Sequence, residues 1–418
     1  MSSPTPVTTP RKKAKRWSRR ILGLLGPAFV AAIAYVDPGN VAANISAGSQ
    51  FGYLLLWVLV AANVVAMFVQ YQSAKLGLVT GRNLPEILGR KLTKPARLAF
   101  WAQAEIVAIA TDLAEVIGGA LALHLLFHIP LIVGAVIIGA FSTLLLMTQN
   151  DGRQKRFEML IIVLLLIIAA GFLGGLILAP PDMADLVNGL VPKLQGPETV
   201  ILAASMLGAT VMPHAIYLHS SLVNDRFKHN VDRVNPRLKA TRIDVIIALA
   251  FAGLVNIGLL VLAASALYGV DGTETIQGTH AAIVERLGVG VGIIFSIGLL
   301  ASGLASTSVG SYAGSEVMKG LLKWQISPLA RRLITLVPAL IVVALGVDPT
   351  SALVWSQVLL SVGIPFAIIP LFWATRNKEL MGEHADGRVT RVTADVVTFL
   401  IIALNIALLV MPFFGVDT

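Results

Sequence analysis

Three clusters of polar residues in this 418-residue chain stand where their chemistry is costly. Asp37-Pro38-Gly39-Asn40 interrupts the apolar stretch "IAYVDPGNVAAN". Met212-Pro213-His214 interrupts a second one, "AASMLGATVMPHAIYLHSS". Glu105, Asp112 and Glu115 share the single apolar stretch "AEIVAIATDLAEVIGG". Asp37 offers a hard anionic oxygen and Asn40 a neutral amide oxygen. Three residues apart, they converge if the backbone between them is unwound. Pro38, lacking a backbone N–H, and flexible Gly39 favour such a break, and so does Pro213. Each break frees carbonyls, here near Ala34 and Ala209. Oxygen ligands alone suit Mg²⁺ or Ca²⁺, whereas an added thioether favours later, softer divalent metals. With Met212 in the set, the chemistry points to Mn²⁺, Fe²⁺ or a neighbour such as Co²⁺. Taken alone, Pro213 is equally an ordinary kink and Met212 ordinary core filling. The carboxylate Asp37 carries the functional reading, because an intramembrane acid marks a site by default.

At 100° per residue the three acids fall within an arc of about 80° on one helix face. They must face the protein interior and pair or titrate, as a proton relay or as a structural network. His214 adds a group that changes charge near physiological pH. Arg331 and Arg332, in "LARRLITLVPAL", are either anchors at a span's end or partners for acids.

The elements that hold these residues are membrane helices. The chain is 56% hydrophobic and only 13% charged, with a mean hydropathy of +0.81; soluble domains carry about 25% charged residues. Runs of about 20 apolar residues, enough to cross a bilayer, are expected near 21–46, 51–76, 98–127, 129–148, 158–179, 199–223, 243–269, 288–315, 329–348, 351–374 and 394–415. With eleven spans, all but two of the 32 Lys and Arg fall on one side, the exceptions being Lys193 and Arg286. The positive-inside rule then puts the N-terminus in the cytoplasm and the C-terminus outside. The net charge of +9 is thus topology rather than nucleic-acid binding. The start "RKKAKRWSRR" is read as an uncleaved basic cytoplasmic tail, residues 1–20. There is no cysteine, hence no disulfide and no thiolate metal site.

The two interrupted spans are the first and the sixth. Five spans apart, they have opposite orientations in the membrane, the pattern of a transporter built from inverted five-helix repeats. The expected units are 21–179, 199–374 and an extra eleventh helix at 394–415.

The motifs "DPGN" and "MPH", in that order across eleven spans, resemble the natural-resistance-associated macrophage protein (Nramp) family, in its bacterial branch of proton-dependent manganese transporters. "GRNLPE", "LLASGLAS" and "QVLLSVGIPFA" share the likeness. It implies an all-α polytopic membrane protein with a leucine-transporter-like fold, located in the plasma (inner) membrane. It implies inward cotransport of Mn²⁺ (also Fe²⁺, Co²⁺ and Cd²⁺) with H⁺, and no permanent cofactor. The implied metal ligands are Asp37, Asn40, Met212 and the carbonyls of Ala34 and Ala209, with Gln357 approaching in the occluded state. Glu115 and His214 would lie near the metal, Asp112 further toward Arg331 and Arg332, and Glu105 at the start of the stripe. Gln70 and Asn256 would line or gate the path, although polar glue between helices explains them as well.

A sodium-coupled symporter of an amino acid or similar solute is the alternative on the same fold. A cation channel would use a ring of acids from several subunits, and an enzyme would need a nucleophile–base pair or cofactor motif. The ionisable residues fit neither pattern. The expected partners are metal ions, protons and lipid, not nucleic acid; protein partners and oligomeric state are not legible.

Overall fold

The structure, a computed structural model, describes residues 27–147, 154–227, 234–323 and 328–410. The basic tail 1–20 therefore lies outside the described residues. The first span is divided into α1 (Pro27–Ile33), a 3₁₀ turn (Ala34–Val36) and α2 (Pro38–Phe51). There follow α3 (Leu56–Thr80), α4 (Leu84–Lys91), α5 (Lys94–Phe127), α6 (Leu131–Met147), α7 (Gln154–Leu173) and the short α8 (Met183–Asn188). The sixth span is divided into α9 (Gly196–Thr210) and α10 (Pro213–Phe227). The rest are α11 (Val234–Ala266), α12 (Ile276–Leu287), α13 (Val289–Leu322), α14 (Pro328–Ala344), α15 (Pro349–Arg376), α16 (Lys378–Met381) and α17 (Arg388–Val410). Among the described residues there is no strand.

Among the described residues, seven helices are long and apolar enough to cross a membrane, counting α9 and α10 as one. That is fewer than the eleven expected spans. The first span is split and leaves only a short apolar piece, as do 131–144 and 163–177. The ninth expected span, α14, is 17 residues long and carries Arg331 and Arg332.

Solvent preference is turned inside out. Phe141, Leu144, Phe399 and Leu400 are exposed, whereas Asp37, Gln70, Asp112, Glu115 and Arg332 are buried. Such a surface suits lipid, and such an interior requires every polar group to find a use. Chain punctuation follows ordinary capping chemistry. Gly81 ends α3 at a left-handed φ of 65°, and Asn83 and Glu86 form a capping box at the start of α4. Asp348 accepts from the Ser351 N–H at 2.7 Å to start α15. These arrangements satisfy orphan N–H groups of a first turn.

The split helices sit in the middle of the bundle. The long α5 packs against α13, α14, α15 and α6, while α2 packs against α11, α9 and α15. The half-helix α10 lies between α3 and α13. Just beyond the C-terminal end of α15, Asp386 is buried and holds Lys75 of α3 at 2.8 Å and the Gln72 amide at 2.7 Å. This pair ties the segment before α17 to α3.

Candidate metal site and proton route

Asp37 does two jobs that its neighbours make compatible. Its backbone is extended (φ −79°, ψ 168°) and it is the N-cap of α2, with Pro38 in the first turn. Proline is tolerated there because its missing N–H would be unpaired anyway. Oδ1 of Asp37 accepts from both the backbone N–H and the side-chain amide of Asn40, each at 2.8 Å. Oδ2 faces the Gln357 amide at 3.5 Å. The Asn40 amide also donates to the Ala209 carbonyl at 2.9 Å, joining the two breaks.

The second break is tighter. Val211 closes α9 at φ −108°, ψ 66°, Met212 lies outside both half-helices, and Pro213 opens α10. Met212 is fully buried. Glycines let the surroundings close in. A Cβ on Gly39 would overlap the Gln357 side-chain amide, and one on Gly208 would overlap the Gln357 backbone carbonyl.

With Asn40 and Gln357 donating through nitrogen, their oxygens remain. Asn40 Oδ1 and Gln357 Oε1 are buried and have no hydrogen-bond partner. Orphaned buried acceptors need an explanation, and a cation supplies one. Among the described residues no three His, Asp or Glu gather as a metal-holding group. A cation here would meet the Asp37 carboxylate and the neutral oxygens of Asn40 and Gln357. Such surroundings are weakly charged, and Met212 is buried in the break that the Asn40–Ala209 hydrogen bond adjoins.

The helix 98–127 acids expected as a stripe divide by partner. Glu105 pairs with Arg331 at 3.1 Å, and Asp112 with Arg332 at 3.0 Å. Arg332 is completely buried, and its Nε donates to the Ser142 hydroxyl at 3.0 Å. Glu115 is buried with neither carboxylate oxygen hydrogen-bonded; it faces Gly310, where a Cβ would come within 3.1 Å. His214 Nδ1 lies 3.3 Å from the Thr111 hydroxyl, one residue from Asp112. Thus both arginines are partners of acids, which chain position alone left undecided.

Gln70 and Asn256 meet at a residue that pattern reading did not single out. Tyr35, in the 3₁₀ turn, accepts at its hydroxyl from the Gln70 amide at 2.5 Å and at its carbonyl from the Asn256 amide at 2.6 Å. Gln70 Oε1 continues to His219 Nδ1 at 2.8 Å, and Asn256 Oδ1 accepts from Asn44 at 3.1 Å. The Ser302 hydroxyl caps the freed Val36 carbonyl at 2.5 Å. Tyr35, Asn44, His219 and Ser302 are thus additional polar residues around the first break. Their only sequence signal is polarity inside apolar spans.

Residues 28–411 match the family described as natural resistance-associated macrophage protein-like. The chain belongs to the Nramp family. It is 54% identical over 394 residues to the divalent metal cation transporter MntH of Mycobacterium tuberculosis H37Rv, covering 94% of this chain and 92% of that one. MntH of Yersinia pestis is 46% identical over 401 residues, covering 95% and 97%. The fold agrees with a crystal structure of the manganese transporter of Eremococcus coleocola, in a mutant form, at 28% identity and a TM-score of 0.85, covering 100% and 91%. A more distant likeness, to MhsT with bound L-phenylalanine (13% identity, TM-score 0.61), concerns the fold alone. As a Nramp chain, the protein has relatives named as transporters rather than enzymes.

Proposed function

We propose that this Nramp protein is a proton-coupled importer of divalent transition metal ions such as Mn²⁺ and Fe²⁺. The observation that carries the reading is the Asp37 carboxylate in a helix break, with the unpartnered oxygens of Asn40 and Gln357 beside it. That the MntH relatives are named for divalent metal cations supports the choice of cargo. Asp37, Asn40, Met212, Gln357 and the carbonyls of Ala34 and Ala209 are the proposed ligands. Thioether and neutral oxygens favour transition metals over Ca²⁺, which seeks several hard oxygens.

Protons move separately from the metal in this reading. Glu115 and His214 take them near the site, and the Asp112–Arg332 and Glu105–Arg331 pairs carry them along the stripe. Gln70 and Asn256 steady the Tyr35 turn as the path opens. The proposed topology is eleven spans in two inverted repeats, 21–179 and 199–374, plus 394–415. The N-terminus is cytoplasmic and the C-terminus outside, in the cell membrane. The two repeats rock about the fixed midplane site.

Uptake of Mn²⁺ into proteoliposomes with an acidic exterior and an internal pH dye tests this. Metal entry accompanied by internal acidification is expected. Uptake that ignores pH and requires sodium would replace this reading with a sodium-coupled symporter.

A further inference from the structure

A carboxylate far from the proposed metal site has an unusual set of partners. Glu316, in the last two turns of α13, is buried. Its Oε2 accepts from the Asn83 amide at 2.9 Å and from the Ser221 hydroxyl at 2.6 Å. Asn83 caps α4, directly after α3, and Ser221 lies on α10, the half-helix that leads away from Met212-Pro213. One oxygen atom therefore ties three elements. One turn earlier on α13, the Tyr312 hydroxyl donates to Asp225 of α10 at 2.7 Å, a second tie between the same two helices. The Ser220 hydroxyl accepts from the Leu84 N–H at 3.3 Å, locking α10 against α4.

We infer that Glu316, with Asp225 and Tyr312, is a clasp that holds α10 against α13 and closes the metal path on the side of the basic loops. The inference rests on the alternating-access reading above. Among the described residues these polar ties join α10 to α13, and opening Asp37 to that side by parting the two helices would break them. Their chemistry suits repeated opening. Hydrogen bonds from neutral groups to a carboxylate are stronger than neutral ones, which favours the closed state. Yet Ser221, Asn83 and Tyr312 carry no charge, so water can replace each bond when the helices separate. A buried arginine in their place would lose a full ion pair. Lys319, the cation near Glu316 Oε1 at 3.6 Å, has a half-exposed side chain and lies on α13 itself, so it does not join the two helices.

The chain contains no cysteine, which makes accessibility a clean readout. Ser311, buried on α13 one residue before Tyr312, has a hydroxyl without a hydrogen-bond partner, so Ser311→Cys is a near-isosteric reporter. In metal-free membranes a charged, membrane-impermeant thiol reagent is added from the basic-loop side. Removing an acceptor from two buried donors is expected to speed labelling about tenfold in Glu316→Ala. Glu316→Gln, which keeps an acceptor oxygen, should lie between it and the parent. Should Glu316→Ala not fold, the Ser221→Ala, Tyr312→Phe double variant asks the same question with smaller changes and the same expected direction. Labelling unchanged in these variants, or faster from both sides of the membrane alike, overturns the clasp. Because no metal is present, loss of the clasp leaves the transport reading standing, and failed Mn²⁺ uptake leaves the labelling result standing.

Discussion

Asn40 connects the two broken helices through one nitrogen: its Nδ2 sits 2.8 Å from Asp37 Oδ1 and 2.9 Å from the Ala209 carbonyl. The amide thereby braces the carboxylate against the end of α9 and leaves its own oxygen buried without a partner. A residue proposed as a ligand is thus also the strut that sets the site's width.

Asn40→Asp should therefore weaken Mn²⁺ binding although it adds a negative charge. It would replace the donor to Ala209 by an acceptor and set two carboxylates side by side, where their mutual repulsion opposes holding both charges. Isothermal titration at two pH values tests this. Affinity that falls at neutral pH and recovers as pH is raised is the expected result; tighter binding throughout would count against the strut.

Gly39→Ala should lower Mn²⁺ affinity without harming the fold. In a helix, Ala is ordinarily the better residue by about 0.5–1 kcal/mol, but this Cβ would overlap the Gln357 amide and push it from Asp37. The check is a double-mutant cycle with Gln357→Ala. Once Gln357 is truncated, Gly39→Ala should cost nothing further in affinity. Additive losses would show that Gly39 acts some other way.

Asp112→Asn should impair proton movement more than metal binding. Asp112 pairs with Arg332 rather than with any proposed ligand, so Mn²⁺ affinity should stay within about threefold of the parent. Uptake measured with the internal pH dye should show acidification falling further than Mn²⁺ entry. Equal loss of both would make the stripe a structural network. The variant should also melt earlier, since it leaves the buried Arg332 guanidinium without its counter-charge.

Much of the site could be read from the chain because its residues break rules locally. Asp-Pro-Gly-Asn is conspicuous inside an apolar span, and the structure adds the reason the chain restarts there: Asp37 is an N-cap and Pro38 stands in the first turn. Met212-Pro213 likewise marks the gap between α9 and α10. Pairings across the bundle left no such mark. Arg331 and Arg332 look like anchors at a span's end, yet Arg332 is fully buried because Asp112, 220 positions away, supplies its charge. Tyr35 reads as an ordinary aromatic residue until Gln70 and Asn256 are brought to it from two other helices. The short α4, α8, α12 and α16 fall in segments read as loops, since helices of 4–12 residues give too few turns for an apolar period to stand out.

Met212→Ala should change selectivity more than rate. An oxygen-only shell keeps the charge that attracts a dication and loses its preference for soft metals. Mn²⁺ uptake should weaken modestly, Cd²⁺ uptake should fall most, and a large excess of Ca²⁺ should now inhibit. Unchanged selectivity with a lower overall rate would reduce Met212 to packing.

The central claim is that the Asp37 break holds the metal, and Mn²⁺ calorimetry on the purified parent and Asp37→Ala tests it most directly. Asp37 is the carboxylate that contacts both Asn40 and Gln357, and stranding a buried charge costs about 3–5 kcal/mol. A drop of about 100-fold or more in Mn²⁺ affinity is therefore predicted, with thermal melts showing that the variant remains folded. Parent-like Mn²⁺ affinity in folded Asp37→Ala would contradict the account.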